Sequence, residues 1–348
     1  MSSRATAVAP ANIAFIKYWG AHDVERGVPM NPSVSMTLSR CVSICTVEAH
    51  PREDGRSGVA PHGEDCDGVG DEILLAGPDG NRPAPEFFAC RIRDHLDRLR
   101  KLFDAAVTFR VATKNSFPAG AGLASSASGF AALTLAAVRA LGLDLATDEL
   151  SVLARRSGSG SAARSVLGGF VELPGGPDEG DVYARPLAGA ADWDLRDVIA
   201  VVASEPKSVS SREGHRRVVS SPYYRERLAL LPGRLATVRD AIERRDFHLL
   251  GPVVEEEGID LHLVAMSAIP PIFYWLPGTL QVLETVRMLR LEGIEAYSTM
   301  DAGPNVHVIC RPSEEASVVD RLGQLESVRE VICDGVGPGP RFSEDHLL

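Results

Sequence analysis

Four stretches of this chain bring together residues whose types and spacing could do chemistry. The densest is Phe117-Pro118-Ala119-Gly120-Ala121-Gly122-Leu123-Ala124-Ser125-Ser126-Ala127-Ser128-Gly129, which follows a strand-like run and opens an Ala/Leu-rich helical one. Gly and Ala let a backbone approach an anion closely, N–H groups at a helix start point toward it, and the helix dipole favours negative charge. Pro118, Ala119, Gly120, Ala121, Gly122, Leu123, Ala124, Ser125 and Ser126 therefore make a candidate phosphate cradle, to which the two serines add hydroxyl donors. The pattern is neither the lysine-bearing P-loop nor the dinucleotide fingerprint. The plainer alternative is a helix start whose small residues only pack tightly.

A second small-residue run, Arg156-Ser157-Gly158-Ser159-Gly160-Ser161-Ala162-Ala163-Arg164, leads into Gly168-Gly169-Phe170-Val171. Its hydroxyls and backbone could hold an anion, and Arg164 offers a guanidinium fork matched to a carboxylate. A flexible linker is the alternative, although linkers seldom run straight into an arginine and a strand. Near the N-terminus, Asn12-Ile13-Ala14-Phe15-Ile16-Lys17-Tyr18-Trp19-Gly20 ends an apolar strand with a cation and two aromatics, which could wall a pocket for an anion. Taken alone it reads equally well as a strand end with core aromatics. Asp301, in Met300-Asp301-Ala302-Gly303-Pro304-Asn305, stands where a strand gives way to a tight turn. By itself an aspartate there is more often a turn cap than a base.

These groups need a frame. Residues 5–15 read as a strand, and residues 34–38 and 41–49 alternate apolar and polar side chains as half-buried antiparallel strands do. Residues 51–85 are acidic and rich in Gly and Pro, and read as long loops around a short strand at 72–76 before the turn Pro78-Asp79-Gly80-Asn81. Apolar residues recur at helical spacing over 87–103, and strand alternation returns over 106–112. A strand at 198–203 precedes a Ser-rich loop. Helices are expected at 222–245, 250–266 and 279–291, strands at 296–299 and 306–310, a helix near 313–325 and a last strand near 328–333. The order predicts an α+β protein with a boundary near residues 175–195.

With 348 residues, two domains sharing an interface are the default expectation. Hydrophobic residues at 45% and charged residues at 24% are those of a globular chain. A net charge of −11, from 36 basic and 47 acidic residues, argues against nucleic acid or an anionic membrane as the main partner. An anionic ligand must therefore meet a local positive site. The six cysteines, Cys41, Cys45, Cys66, Cys90, Cys310 and Cys333, are scattered without zinc spacing and read as free thiols in a reducing cytoplasm. Pro10, Asn12 and Lys17 interrupt the apolar N-terminus, which fits neither a signal peptide nor an anchor.

Taken together and in this order, residues 12–20, 117–129, 158–164 and 300–305 closely resemble the diphosphomevalonate decarboxylases, of the superfamily of galactokinase, homoserine kinase, mevalonate kinase and phosphomevalonate kinase. The resemblance runs from about Ala7 to Pro340. It implies a two-domain small-molecule-kinase fold: an ATP-binding N-terminal α/β domain like domain two of a small-subunit ribosomal protein, over residues 1–185, and a ferredoxin-like domain closing the cleft, over 186–348. It implies ATP as the phosphoryl donor, with magnesium but no assigned protein ligand, a small-molecule substrate, no nucleic-acid or membrane partner, and a cytoplasmic homodimer.

The implied reaction is ATP-dependent decarboxylation of mevalonate 5-diphosphate to isopentenyl diphosphate. Asp301 would be the base or orienting group at the 3-hydroxyl, Lys17 would offset the crowded anions beside it, and Arg164 would hold the substrate carboxylate. Tyr18, Trp19, Gly20, Ala21, Ser159, Gly160, Ser161, Ser211 and Arg212 would complete the substrate pocket. The chain departs from the family at one point above all: a second lysine that contacts the 5-diphosphate is replaced by Ala21. In the Ser-rich loop, Arg212 and His215 stand where many members have a small hydroxyl residue and a methionine. Arg212 or His22 could supply the missing charge, or the substrate could be the 5-monophosphate or the 3,5-bisphosphate. A 3-kinase that stops short of decarboxylation is a further alternative.

Overall fold

A computed structural model describes residues 3–52, 70–118, 125–176, 182–205 and 207–348. In chain order, β1 (Ser3–Ile16) is followed by a small ribbon, β2 (Ala21–Asp23) and β3 (Val28–Pro29), and by the long β4 (Ser33–Pro51). Next come the hairpin β5 (Glu72–Gly77) and β6 (Gly80–Pro83), helix α1 (Glu86–Phe103) and β7 (Val107–Asn115). Helices α2 (Ser125–Ala140) and α3 (Thr147–Arg155), a 3-10 turn (Gly160–Val166), β8 (Phe170–Leu173) and β9 (Arg185–Ala188) complete the first half. The second half runs β10 (Arg196–Val201), α4 (Ser211–Arg217), α5 (Tyr224–Arg244), α6 (Phe247–Met266), α7 (Pro277–Leu291), β11 (Ala296–Thr299) and β12 (Val306–Cys310). It ends with α8 (Glu315–Gly323), β13 (Glu330–Gly335) and β14 (Arg341–Ser343).

Among the described residues, one eight-stranded sheet has the order β14-β1-β4-β7-β5-β6, with β8 beside β4 and β9 beside β8. A four-stranded sheet has the order β11-β12-β10-β13. This is the expected α+β class.

Strand β1 decides where the site forms. Ala5, Ala7 and Ala9 pack in one core with α1, α2 and α3. Their small side chains let α2, itself rich in alanine and buried nearly all round, lie close to the sheet. The ladder is interrupted between Pro10 and Asn12, where Ala11 alone stands against residues 38–41 of β4, and across this irregularity the side chains change the core they face. From there Ala11, Ile13 and Phe15 join a second core with α5, α6, Ile199 and Ile309, and Asn12 turns to the 3-10 turn, where its amide donates to Ser165 at 2.8 Å. One strand thus serves two cores and delivers Asn12 and Lys17 to the cleft between them.

The two strands expected at 34–38 and 41–49 are one, β4. It bends at the exposed Ser39 and Arg40 without breaking, because the buried Asp334 carboxylate accepts N–H bonds from Ser39 (2.8 Å), Arg40 (2.9 Å) and Cys41 (2.7 Å). Helix α4, within the expected Ser-rich loop, and the terminal β14, which pairs with β1, lay outside the sequence reading. Cys41, Cys45, Cys310 and Cys333 are free, but Cys90 is disulfide-bonded, which corrects the expectation of free thiols throughout. That expectation rested on the absence of close Cys spacing, which says nothing of pairs distant in sequence. No helix among the described residues is long and apolar enough to cross a membrane.

Candidate active site

Lys17 leaves the end of β1 with its side chain 1% exposed. Its ammonium donates to the Ala14 carbonyl at 2.6 Å and to Asp301 Oδ1 at 2.9 Å. Its backbone is held largely from the other half of the chain: the N–H donates to Glu257 of α6 at 3.1 Å and the carbonyl accepts from Arg227 of α5 at 2.9 Å, with Asn31 of its own half donating to the same carbonyl at 2.9 Å. Asp301 sits on the turn between β11 and β12, where its own carbonyl accepts the Gly303 N–H at 2.7 Å. Burial pushes the Asp301 carboxyl up, but the Lys17 ammonium, with His307 and Arg164, outweighs it and holds the group below the usual carboxylate range. Asp301 is therefore ionised at neutral pH, with a quarter of its side chain open to the cleft.

Arg164, 2% exposed, lies in the 3-10 turn with its fork bound only by neutral oxygens. It donates to Asn12 Oδ1 at 3.1 Å, to Ser35 at 2.9 Å and to Ser33 at 2.5 Å. Ser33 and Ser35 alternate on one face of β4, which the sequence reading took as a half-buried strand; that polar face is buried and exists to orient the guanidinium. No acid is hydrogen-bonded to Arg164 among the described residues. Burial lowers its pKa to about 10, so it remains a cation at neutral pH.

A cavity of about 420 Å³ opens at Asp301, which lines it with Tyr18, Ser159, Gly160, Ser161, Lys207, Ser210, Ser211, Arg212 and His215 among others. Gly160 is required where it is, since a side chain there would collide with the Tyr18 ring. Trp19 stands behind the wall, 1% exposed, with its ring 4.9 Å from His215. Gly20 has φ of +89°, and a Cβ there would collide with the Tyr224 hydroxyl. Ala21 pairs with Pro29 in the small ribbon, and His22 is exposed. Arg212 forms an ion pair with Glu25, which also takes Arg216 at 2.7 Å.

A second cavity, of about 380 Å³, is largely apolar, with Phe87, Phe88, Phe117 and Phe130 in its walls. It shares Phe87, Ser125 and Ser126 with the first, so the two chambers meet at the start of α2. Ala119, Gly120, Ala121, Gly122, Leu123 and Ala124 lie outside the described residues; Pro118, Ser125 and Ser126 flank them.

Lys207 was missed by the sequence reading. Its ammonium donates to Ser211 at 2.7 Å and to the Ala302 carbonyl, and lies 5.5 Å from the centre of the Tyr274 ring. Burial lowers its pKa to about 8, against the opposing pull of Asp301. A signal was available: of the 36 Lys and Arg residues only Lys17, Lys101, Lys114 and Lys207 are lysines. Lys207 and Lys114 line the two chambers, and Lys17 is bonded to Asp301. A chain that otherwise uses arginine keeps lysine where a compact, tunable charge is wanted.

Two family models match the chain in succession. Residues 9–184 match the model of the diphosphomevalonate decarboxylase-like N-terminal domain, and residues 197–330 match that of the mevalonate 5-diphosphate decarboxylase C-terminal domain. The diphosphomevalonate decarboxylase of Aspergillus fumigatus is 33% identical, over 99% of this chain and 95% of its own. The phosphomevalonate decarboxylase of Haloferax volcanii is 32% identical over 99% of both. A solved structure described as MDDEF in complex with MVAPP, AMPPCP and magnesium superposes with a TM-score of 0.86 at 35% identity, over 99% of this chain and 100% of that one.

Proposed function

The chain belongs to the diphosphomevalonate decarboxylase family, and from that premise we infer that it catalyses the ATP-dependent decarboxylation of mevalonate 5-diphosphate. The observation that carries this reading is the pairing of an ionised Asp301 with Lys17 at 2.9 Å, in a cavity that opens onto the start of α2. Residues 1–185 form the nucleotide-holding unit and residues 186–348 the unit that closes the cleft.

The aromatic chamber suits a planar base, and the start of α2 suits phosphates, since helix N–H groups and the dipole both favour anions there. No group of three or more His, Cys, Asp or Glu among the described residues could hold a metal. That donor set fits magnesium carried by the nucleotide phosphates, as is usual for this reluctantly dehydrated cation. When bound, the ion offsets charge on the phosphates.

Asp301 accepts the proton of the 3-hydroxyl as that oxygen attacks the γ-phosphorus, and the bond to ADP breaks. Lys17 keeps Asp301 ionised beforehand and offsets the negative charge that gathers during transfer. The 3-phosphate then leaves with the C3–O electron pair. The carboxylate, held by Arg164, releases carbon dioxide, and the electrons of that carbon–carbon bond form the double bond to C3. Lys207 reaches the same cavity and steadies the phosphoryl group in flight.

The test supplies ATP, magnesium and mevalonate 5-diphosphate and follows ADP and carbon dioxide separately; equal amounts of both are expected, and ADP alone would make the protein a 3-kinase. A second reading, with the 5-monophosphate as substrate, is favoured by the uncharged Ala21, by the pairing of Arg212 with Glu25, and by the Haloferax volcanii relative. A higher kcat/KM for mevalonate 5-phosphate than for the diphosphate would select it.

A further inference from the structure

The wall of the substrate cavity contains a histidine for which the mechanism above has no use. His215 lies on α4 between two rings, 4.2 Å from the centre of Tyr18 and 4.9 Å from that of Trp19. Its Nδ1 accepts the backbone N–H of Gly20 at 3.0 Å. An imidazole nitrogen that accepts a hydrogen bond carries no proton, so the proton of the neutral ring is on Nε2. Burial, with Lys207 nearby, lowers the pKa of His215 to about 3, which agrees with a ring that cannot become a cation without losing the Gly20 bond. Nε2–H has no protein acceptor among the described residues, and His215 lines the cavity together with Ser211 and Arg212 of the same helix. Positions four apart on a helix share a face.

Asp301, bonded to Lys17, lines the cavity and marks the end where the hydroxyl and carboxylate react. A phosphorylated mevalonate is a chain with its phosphoryl group at the opposite end. Near that wall the Arg212 guanidinium is shared with Glu25 and Ala21 carries no charge, which leaves Arg91 and Lys207 as the unshared cations of the lining among the described residues. Beside these long, flexible side chains, the His215 ring offers an N–H donor held in one orientation, suited to define the position of a phosphoryl oxygen.

We propose that His215 is a specificity-determining residue of this site, whose Nε2–H donates to an oxygen of the substrate's 5-phosphoryl group. The assignment rests on the reading of the site as one for a phosphorylated mevalonate. Contacts with the Tyr18 and Trp19 rings and the Gly20 bond hold the ring, so the donor needs little ordering when substrate arrives.

The test is calorimetric titration of the full chain with mevalonate 5-phosphate and 5-diphosphate, unphosphorylated mevalonate, and AMPPCP. His215→Met keeps the size and removes the donor. It should weaken the phosphorylated ligands about ten- to hundredfold, the worth of one hydrogen bond to a charged group, and leave AMPPCP unchanged. His215→Gln can place an amide N–H where Nε2–H stood, and should recover most of the loss. Unchanged binding of the phosphorylated ligands by His215→Met would overturn the assignment, as would an equal loss with unphosphorylated mevalonate, or an equal loss with AMPPCP that His215→Gln does not recover. If the original chain bound neither phosphorylated mevalonate, the functional reading itself would fall, and this one with it.

Discussion

Lys207 and Arg164 are both buried cations, yet their surroundings give them different pH behaviour. Lys207, with a pKa lowered to about 8, is charged below that value and loses its charge as pH rises through it. If it steadies phosphate, kcat/KM should fall above about pH 8 with the slope of one proton. Lys207→Arg should move that break upward, since a guanidinium does not titrate in this range; an unchanged break in the pH profile would assign it to another group. Arg164, at about 10, stays charged throughout. Arg164→Gln would keep bonds to Ser33 and Ser35 but remove the charge that awaits a carboxylate. Substrate KM should rise about ten- to hundredfold while AMPPCP affinity holds, in line with the worth of a charge-assisted bond. At this scale the sequence was legible where a motif named the residue: Lys17, Asp301 and Arg164 all came from short strings. Lys207 escaped because a lone lysine in a Ser-rich loop has no periodicity, and its importance arises from burial that only the fold provides. Ser33 and Ser35 escaped because alternation alone cannot say which face of a strand is wet.

Elements place these groups by devices that carry weaker signals. The regular parts were readable: residues 296–299 and 306–310 coincide with β11 and β12, and the helix expected at 87–103 is α1 with one residue added. What could not be read was the break in the β1–β4 register, where Ala11 faces residues 38–41, and the bend in β4, whose cause lies almost 300 residues away. Asp334 accepts N–H bonds from three consecutive residues at that bend, so Asp334→Ala would leave the buried Cys41 N–H unsatisfied and free the half-buried N–H groups of Ser39 and Arg40. A loss of about 3 kcal/mol is expected, within the range for a broken buried network, and is measurable as a lower urea midpoint with an unchanged m-value. A change below about 0.5 kcal/mol would mean that the bend is held by pairing with β1 alone.

Across the molecule, Lys17 belongs to one half of the chain and is fixed largely by the other. Glu257, fully buried on α6, accepts the Lys17 N–H and is bonded to Arg227 at 2.8 Å and Arg234 at 2.7 Å. Glu257→Gln would leave the buried Arg227 guanidinium without its countercharge, while Arg234 keeps Asp260 at 2.6 Å. Removing one partner of a buried pair costs about 3 to 5 kcal/mol, and here kcat should fall with the melting temperature because Lys17 loses its anchor; a variant that melts early but turns over normally would separate the network from the site. The overall charge of −11 gives the local cations a further purpose. An acidic molecule that handles polyanions must concentrate positive charge in the cleft, as Lys17, Arg164, Lys207 and Arg212 do.

The central claim is that one constellation, Asp301 with Lys17 and Arg164, carries both phosphoryl transfer and the loss of carbon dioxide. The measurement that tests it most directly is the yield of ADP and carbon dioxide per enzyme from Asp301→Asn supplied with ATP, magnesium and mevalonate 5-diphosphate, beside the unaltered chain. The account predicts nucleotide affinity unchanged, both products reduced together by about a hundred- to ten-thousandfold, the range for loss of a positioned general base, and one carbon dioxide per ADP in whatever turnover remains. Near-normal turnover of the variant, or ADP formed by the unaltered chain without carbon dioxide, would contradict it.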